Sequence, residues 1–579
     1  MRACEVTFPG MFPHLIRRRF PLLASLFAGG TFTVSAVTNY VAITGSDTNP
    51  GTFASPWRTI QKAASTLAPG DTALVRGGIY SERVTVNVSG SAAGGRVVFQ
   101  NYPGEQPVID GTGLVVPTAD NGLFLLTDRS HLTIQGFELR NYAVNSSSKV
   151  PAGIFINGAC HNISILTNHI HHIANTNQNG AFGLAVYGTS ATQAITNLLI
   201  RGNELDHLQT GWSESLVLNG NVTDFEVSAN LIHDNNNIGL DFIGYEGTCS
   251  DTNLDRARHG VCRDNTVWNI TAYGNPAYGN NYGADGIYCD GSTDIVIERN
   301  KVFATDIGIE MASEHAGKAT SFITVRDNLV WSNNIGGIFI GGYDTARGRT
   351  EFCQITHNTL YHNDTKSQGN GEFYVQFDTR SNSFTHNLLV ASAQNLLLGN
   401  PYPQNTNNVV NWNLYFAPGG SNNAEWQWKN VLHTGFTTYR TATGNDANSR
   451  FADPRLVNTI QANFHLATNS PALNAGDPAF APAAGETDVD GQSRVAGGRT
   501  DIGADELNIY SPTLNFAPPA GNQLRLQLNG EPGHAIVWEQ SVALASWLPF
   551  LTNANPTGLL ETTNAMTAAR LFFRARMAE

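Results

Sequence analysis

An asparagine recurs between two apolar, strand-like segments along most of the chain, and no other feature restricts the fold as strongly. The series is Asn168 (ISILTNHI), Asn203 (LLIRGNEL), Asn230 (FEVSANLI), Asn265 (GVCRDNTV), Asn300 (IVIERNKV), Asn328 (ITVRDNLV), Asn358 (CQITHNTL) and Asn387 (SFTHNLLV), at intervals of 35, 27, 35, 35, 28, 30 and 29 residues. A second segment follows each copy, typically opened by glycine, as in Gly153-Ile-Phe-Ile, Gly239-Leu-Asp-Phe, Gly286-Ile-Tyr-Cys and Gly308-Ile-Glu-Met. Self-similarity at such a period marks a solenoid, because one coil cannot bury its own apolar face and stacking creates the core. Alternating apolar residues predict an all-β, parallel β-helix. The asparagines are placed at an inside corner, where each amide can bond its copy in the next coil. Leucine-rich and propeller repeats have similar periods, but their Leu ladder and Trp-Asp signatures are absent.

The N-terminus reads as an export signal over residues 1–36. Arg17, Arg18 and Arg19 precede an apolar run from Phe20 to Val34 that closes on Val34-Ser35-Ala36, too short to span a bilayer and ending in small residues. The mature chain is therefore expected to be secreted or at the cell surface, without a transmembrane segment. With 34 basic against 47 acidic side chains, net −13, nucleic acid is excluded as a partner by long-range repulsion, while a cation remains allowed. Six cysteines are too few for a disulfide scaffold. Cys249 and Cys262 could bridge in an oxidising compartment or stay as two thiols.

The segment YVAITGSDTNPGTFASPWRTIQKAASTLAPGDTALVRGGIYSERVTV, from Tyr40 to Val86, resembles the first turn and capping helix of secreted members of the pectate-lyase-like superfamily. That resemblance, over about residues 40 to 420, implies a right-handed parallel β-helix and a polysaccharide partner. Read by itself, Ser55-Pro56 starts a short amphipathic helix with Ile60, Ala63, Ala64 and Leu67 on one face, and Pro69-Gly70 stops it. Such a helix can cover the open apolar end of the solenoid. The resulting division is 37–130 for the cap and first coils, 131–420 for the repeats, 421–507 for a closing segment and 508–579 for a small β module. Asn463 to Pro478, Thr487 to Arg494 and Arg499 to Glu506 carry Asp-Gly and Asn-Ala-Gly turn chemistry, read as a chain-ending cap in preference to a calcium site. For the module, with Trp538 and Trp547, an adhesion, sorting or spacer role is preferred to sugar binding.

The second strands align into two outward columns, Phe155, Ala185, Val217, Asp241, Tyr288, Glu310, Phe339, Tyr374 and Asn157, Tyr187, Asn219, Ile243, Asp290, Ala312, Gly341, Gln376. Coils lie about 4.8 Å apart, so Asp241, Asp290 and Glu310 converge. The longest insertions, Tyr245 to Gly260, Ala272 to Ala284 and Tyr343 to Thr350, open from the same coils and build a cleft. Tyr288, Glu314, His315, Lys318, Tyr343, Asp344 and Arg347 fall on or near it. Asp285 and Asp306 are assigned to turns.

Two mechanisms fit. Paired carboxylates such as Asp290 and Glu310 can supply the two roles of a retaining glycosidase, with no cofactor. The stretches DGIYCDG (Asp285 to Gly291) and DIGIE (Asp306 to Glu310) are similar to segments carrying those roles in β-helix β-xylosidases, a resemblance that implies Asp290 as nucleophile and Glu310 as acid/base. Alternatively, Asp241, Asp290 and Glu310 would hold Ca²⁺ against a uronate carboxylate, with Lys318 or Arg347 removing the C5 proton. A third reading is a non-catalytic, glycan-binding surface protein. In each reading the chain works as a monomer on a polysaccharide or oligosaccharide.

Overall fold

The computed structural model describes residues 36–118, 122–508, 513–520, 523–542, 544, 546–565 and 571–578. The expected export signal, Cys4 included, lies outside the described residues except for Ala36. From Thr38 to Trp428 the chain coils as a right-handed parallel β-helix. It has one 16-stranded and two 13-stranded sheets, in which each strand pairs with the equivalent strand of the next coil. Its interior is a continuous column of Ile, Val, Leu and Phe, from Val41 to Tyr439.

The asparagines form one ladder. Asn168 N–H donates to Asn203 Oδ1 at 3.0 Å, and the same bond links Asn203 to Asn230, Asn230 to Asn265, Asn265 to Asn300 and Asn300 to Asn328. It continues through Asn358 and Asn387 to Asn413. Each amide Nδ2 also reaches a strand carbonyl across the turn, as in Asn300 to Cys262 at 3.0 Å. A buried amide in this frame leaves neither its own groups nor the turn backbone unpaired.

The capping helix spans Ile60–Ala64, with Thr59 as N-cap and Ile60, Ala63 and Ala64 buried. It starts a turn later than Ser55-Pro56 predicts. The intervening backbone is fastened elsewhere: Trp57 N–H donates to Tyr40 O, and Asp47 takes the Arg58 and Thr59 N–H groups. At the other end, the antiparallel pair Glu425–Trp428 and Val431–Thr434 and the helix Phe436–Thr443 close the core with Phe436 and Tyr439. Residues 456–507, by contrast, lie along the flank instead of over the end. Phe464 packs with Leu329 and Ala504 against Trp331 and Tyr361, and buried Arg494 pairs with Asp327 at 2.9 Å and Glu506 at 3.2 Å. The Asp residues of this segment do take turn N–H groups, Asp488 those of Gln492 and Glu506.

Six antiparallel strands from Thr513 to Met577 form the C-terminal module. Trp538 sits in its core with Leu526, Leu528 and Ile536, and Trp547 lies under Arg574, which leaves Trp538 no sugar-facing surface. Cys249 and Cys262 are both buried free thiols. No helix among the described residues is long and apolar enough to cross a membrane.

Candidate functional site

Pairing fixes the outward columns. Asp241 sits opposite Tyr288, Tyr288 opposite Glu310, and Glu310 opposite Phe339, while Asp290 sits opposite Ala312 one column over. The glycines that open these strands are required by space. A Cβ on Gly286 would meet Gly308 O at 2.7 Å and Val302 Cγ1 at 2.4 Å, and one on Gly308 would meet Gly337 O at 2.5 Å. Backbone packs on backbone there, and the residue just before the glycine faces outward too. This third column includes Glu214, Ile238 and Asp285, and Ile238 packs with Tyr288 and Ala312.

Seven carboxylates consequently meet on one face: Glu214, Asp241, Glu246, Asp285, Asp290, Glu310 and Glu314. Asp241, Asp285, Asp290, Glu310 and Glu214 are all buried. Asp285 belongs with them and not with a turn, because its carboxyl hydrogen-bonds Glu310. Asp306 does serve turns, taking the N–H groups of Ala272, Gly283 and Ala284. Glu310 also accepts from Gln376 Nε2 at 2.5 Å, Asp290 from Glu314 N–H at 2.7 Å and Glu246 from Asn219 Nδ2 at 2.8 Å. The buried oxygens Asp241 Oδ1 and Asp285 Oδ1 have no partner.

Burial dominates the protonation of the group, with like charge adding to it. It pushes Glu310 up to about 7, against the opposing pull of Asp285 and Gln376. Burial and then Glu310 hold Asp285 well above the carboxylate range. Burial and then Glu214 and Asp290 do the same to Asp241, and burial and then Glu314 to Asp290, where the Glu314 N–H opposes them.

The rim comes from the insertions. Arg347 lies 4.4 Å over the Tyr343 ring, 3.7 Å from Asp344, and its guanidinium donates to Glu314 O at 3.4 Å. His315 keeps a buried Nε2 without a partner. Lys318 stands apart from the carboxylates: its ammonium is 4.8 Å from the Tyr245 ring centroid, and it makes no ion pair with Asp290 or Glu310. Toward the N-terminal coils the same face opens into a cavity of about 450 Å³ lined by Phe155, Phe182, Tyr187, Asn179 and Trp212. Trp212, 53% exposed, meets Tyr278 edge-on at 4.9 Å.

The structure therefore gathers Asp241, Tyr288, Asp290, Glu310 and Glu314 as the sequence predicts, and adds Glu214, Glu246, Asp285 and Trp212. Asp241, Asp290 and Glu310 are not a compact metal set. Among the described residues, the groups of three whose ligand atoms lie within 4.8 Å of one another are His171/His172/Asp206, His169/Glu204/Asp206 and His465/Asp490/Asp505.

A family model described as the Pel9A-like right-handed β-helix region matches residues 39–203. The chain is 41% identical over 434 residues to the protein YwoF of Bacillus subtilis (strain 168), covering 75% of this chain and 91% of that one. It is 30% identical over 180 residues to pectate lyase PEL9 of Emericella nidulans, covering 31% of this chain and 42% of that one. The crystal structure of pectate lyase Pel9A overlays with a TM-score of 0.46 at 14% identity, over 82% of this chain and 97% of that one.

Proposed function

The chain belongs to the pectate-lyase-like superfamily of right-handed β-helix proteins and, within it, to the family of Bacillus subtilis YwoF; from that premise we propose that it is an exported enzyme that cleaves glycosidic bonds in a polysaccharide. The observation that carries this reading is Glu310. It is a buried carboxyl held near neutral pH at its midpoint, hydrogen-bonded to Asp285 and one coil and one column from Asp290. A group with that midpoint can give a proton to a leaving oxygen and take one back. Asp290 is the partner placed to attack the anomeric carbon; burial and Glu314 raise its carboxyl, and the Glu314 N–H is the contact that favours the charged form this role needs. The groove is suited to a sugar chain: Trp212 and Tyr187 line the cavity that continues the same face, and Tyr187 lies near enough to Glu214, Glu246 and Asp241 for their charge to act on it.

The test is to assay the purified chain on neutral and uronate polysaccharides, reading both new reducing ends and unsaturated products. Hydrolysis predicts reducing ends alone, lost in Asp290→Asn and Glu310→Gln. A second reading, β-elimination on a uronate polymer, is supported by the similarity to PEL9 and by the unpartnered oxygens of Asp241 and Asp285. It predicts unsaturated products and sensitivity to chelator. Since Asp241, Asp290 and Glu310 do not close on one point, we derive no step through calcium. Retention of polysaccharide without any product would leave a binding protein and overturn both.

A further inference from the structure

Apart from the cleft, the junction between the flank segment and the C-terminal module holds two histidines and four carboxylates that the proposed function does not use. His465 Nε2 lies 2.7 Å from Asp490 Oδ2, and both lie with an Asp505 oxygen within 4.8 Å. From the module, His534 stands next to this group, outside its 4.8 Å span, on the residue after Gly533, whose carbonyl accepts from Asn463 Nδ2 at 2.6 Å; its ring has to close on the other three to complete a shell. Two atoms here are buried and unpartnered: Asp505 Oδ1, on a residue 2% exposed, and His534 Nε2, on a residue 6% exposed. Asp488 and Glu531, at 0% and 4% exposure, stand behind them.

We propose that this junction binds one divalent first-row transition ion, Zn²⁺ being the ion its donors suit, through His465, Asp490, Asp505 and His534. Two imidazoles with two carboxylates match zinc, whereas calcium and magnesium take oxygen sets. The outer contacts are those of metal-bound histidines, in which the second ring nitrogen is held by an acceptor. His465 Nδ1 meets Asn463 Oδ1 at 2.5 Å, and His534 bonds the Leu466 carbonyl. Asp505 Oδ2 is likewise oriented, by Leu466 N–H at 2.7 Å. A cavity of about 350 Å³ bordered by Asp490, Gln492, Glu531 and Thr557 gives the ion a way in. Gly533 is needed for the fit, since at φ 75° a Cβ would sit 2.1 Å from His465 Nδ1. Because His534 comes from the module and the other ligands from the flank of the β-helix, the ion staples one to the other.

The test titrates ZnCl₂ into the EDTA-stripped full-length chain by calorimetry. One ion per chain should bind and raise the melting temperature. Binding should vanish in His534→Ala and Asp490→Asn, weaken about 10- to 100-fold in Asn463→Ala, and persist in His171→Ala, which disturbs the histidine cluster on the other coils. X-ray absorption of the zinc-loaded wild type should count two imidazoles, a result that does not depend on any variant folding. No binding, binding that survives both ligand substitutions or is lost in His171→Ala, or a shell without imidazole would overturn the site. His465 would then be a protonated partner of Asp490 alone.

Discussion

Replacing Asn300 by leucine tests the ladder where its environment is most completely defined. The side chain is fully buried and nearly isosteric with leucine, so shape is kept while four bonds go. Its Nδ2 donates to Cys262 O and Asn328 Oδ1, each at 3.0 Å. Its Oδ1 accepts from Asn265 N and Asn265 Nδ2 at 3.0 and 2.9 Å. Asn265 Nδ2 retains Val227 O and Asn328 Oδ1 retains the Asn300 N–H, and the Cys262 carbonyl stays in the parallel ladder in which Arg263 faces Glu298, so the net orphan is the Asn265 N–H. The orphaned N–H costs about 1–3 kcal/mol and the three other lost bonds about 0.5–1.5 kcal/mol each, while leucine returns about 1.5 kcal/mol of apolar burial, leaving a loss of about 3 kcal/mol. Equilibrium denaturation in urea should show this as a lower midpoint at an unchanged slope. Asn300→Asp sharpens the test: it keeps the acceptor for Asn265 but faces Cys262 O and Asn328 Oδ1 with an acceptor, so it too must destabilise. A midpoint matching the wild type in either variant would refute the ladder as a source of stability.

The remaining predictions concern the cleft and the buried carboxyls of the chain. Asp290→Ala should abolish turnover, with azide restoring part of it at inverted stereochemistry, while Glu310→Gln should lose about 10²- to 10⁴-fold but retain activity on substrates whose leaving group needs no proton. Wild-type activity should fall as pH rises through about 7, where Glu310 loses its proton, and that fall should be missing from the residual rate of Glu310→Gln. Folding stability should follow the same direction: Glu310 and Asp505 at about 7 and Glu372 and Glu531 at about 8 bind protons more tightly folded than unfolded. Their contribution is full below the ordinary Glu and Asp values and is lost as pH rises to about 8, so the melting temperature should drop across that window; a rise would contradict their burial. Gly308→Ala should cost about 1–3 kcal/mol, because its Cβ would fall 2.4 Å from Val330 Cγ1 and 2.5 Å from Gly337 O. It should also lower activity through Glu310, two residues on; an activity equal to wild type would separate the glycine column from the site.

What could be read in advance is what local periodicity encodes. The asparagine spacing and strand alternation are properties of single coils, and the column from Phe155 to Tyr374 pairs residue for residue as the alternation places it. Asp285 and Glu214 were hidden by the glycine step. Strict alternation from Tyr288 through Gly286 turns Asp285 inward, whereas close backbone packing at the glycine turns it out beside Tyr288. The signal was present in the aligned position before each opening residue, where Glu214 and Asp285 share a column with Ile238 and Ile307. Glu246 enters from an insertion, and Phe464 reaches Trp331 from a distant flank; neither contact leaves a local pattern. The three columns also explain how one unchanging backbone supports a graded surface. Upstream they present Ala152, Phe155, Phe182, Ala185, Tyr187 and Val217, which pack as one apolar cluster, and from the coil of Val217 through the next three the same positions present Glu214, Asp241, Asp285, Asp290 and Glu310. On the function proposed, a linear polymer lying along the axis would pass from ring-stacking surface to proton-donating surface without any change of fold, the chemistry being set by which residues occupy those columns.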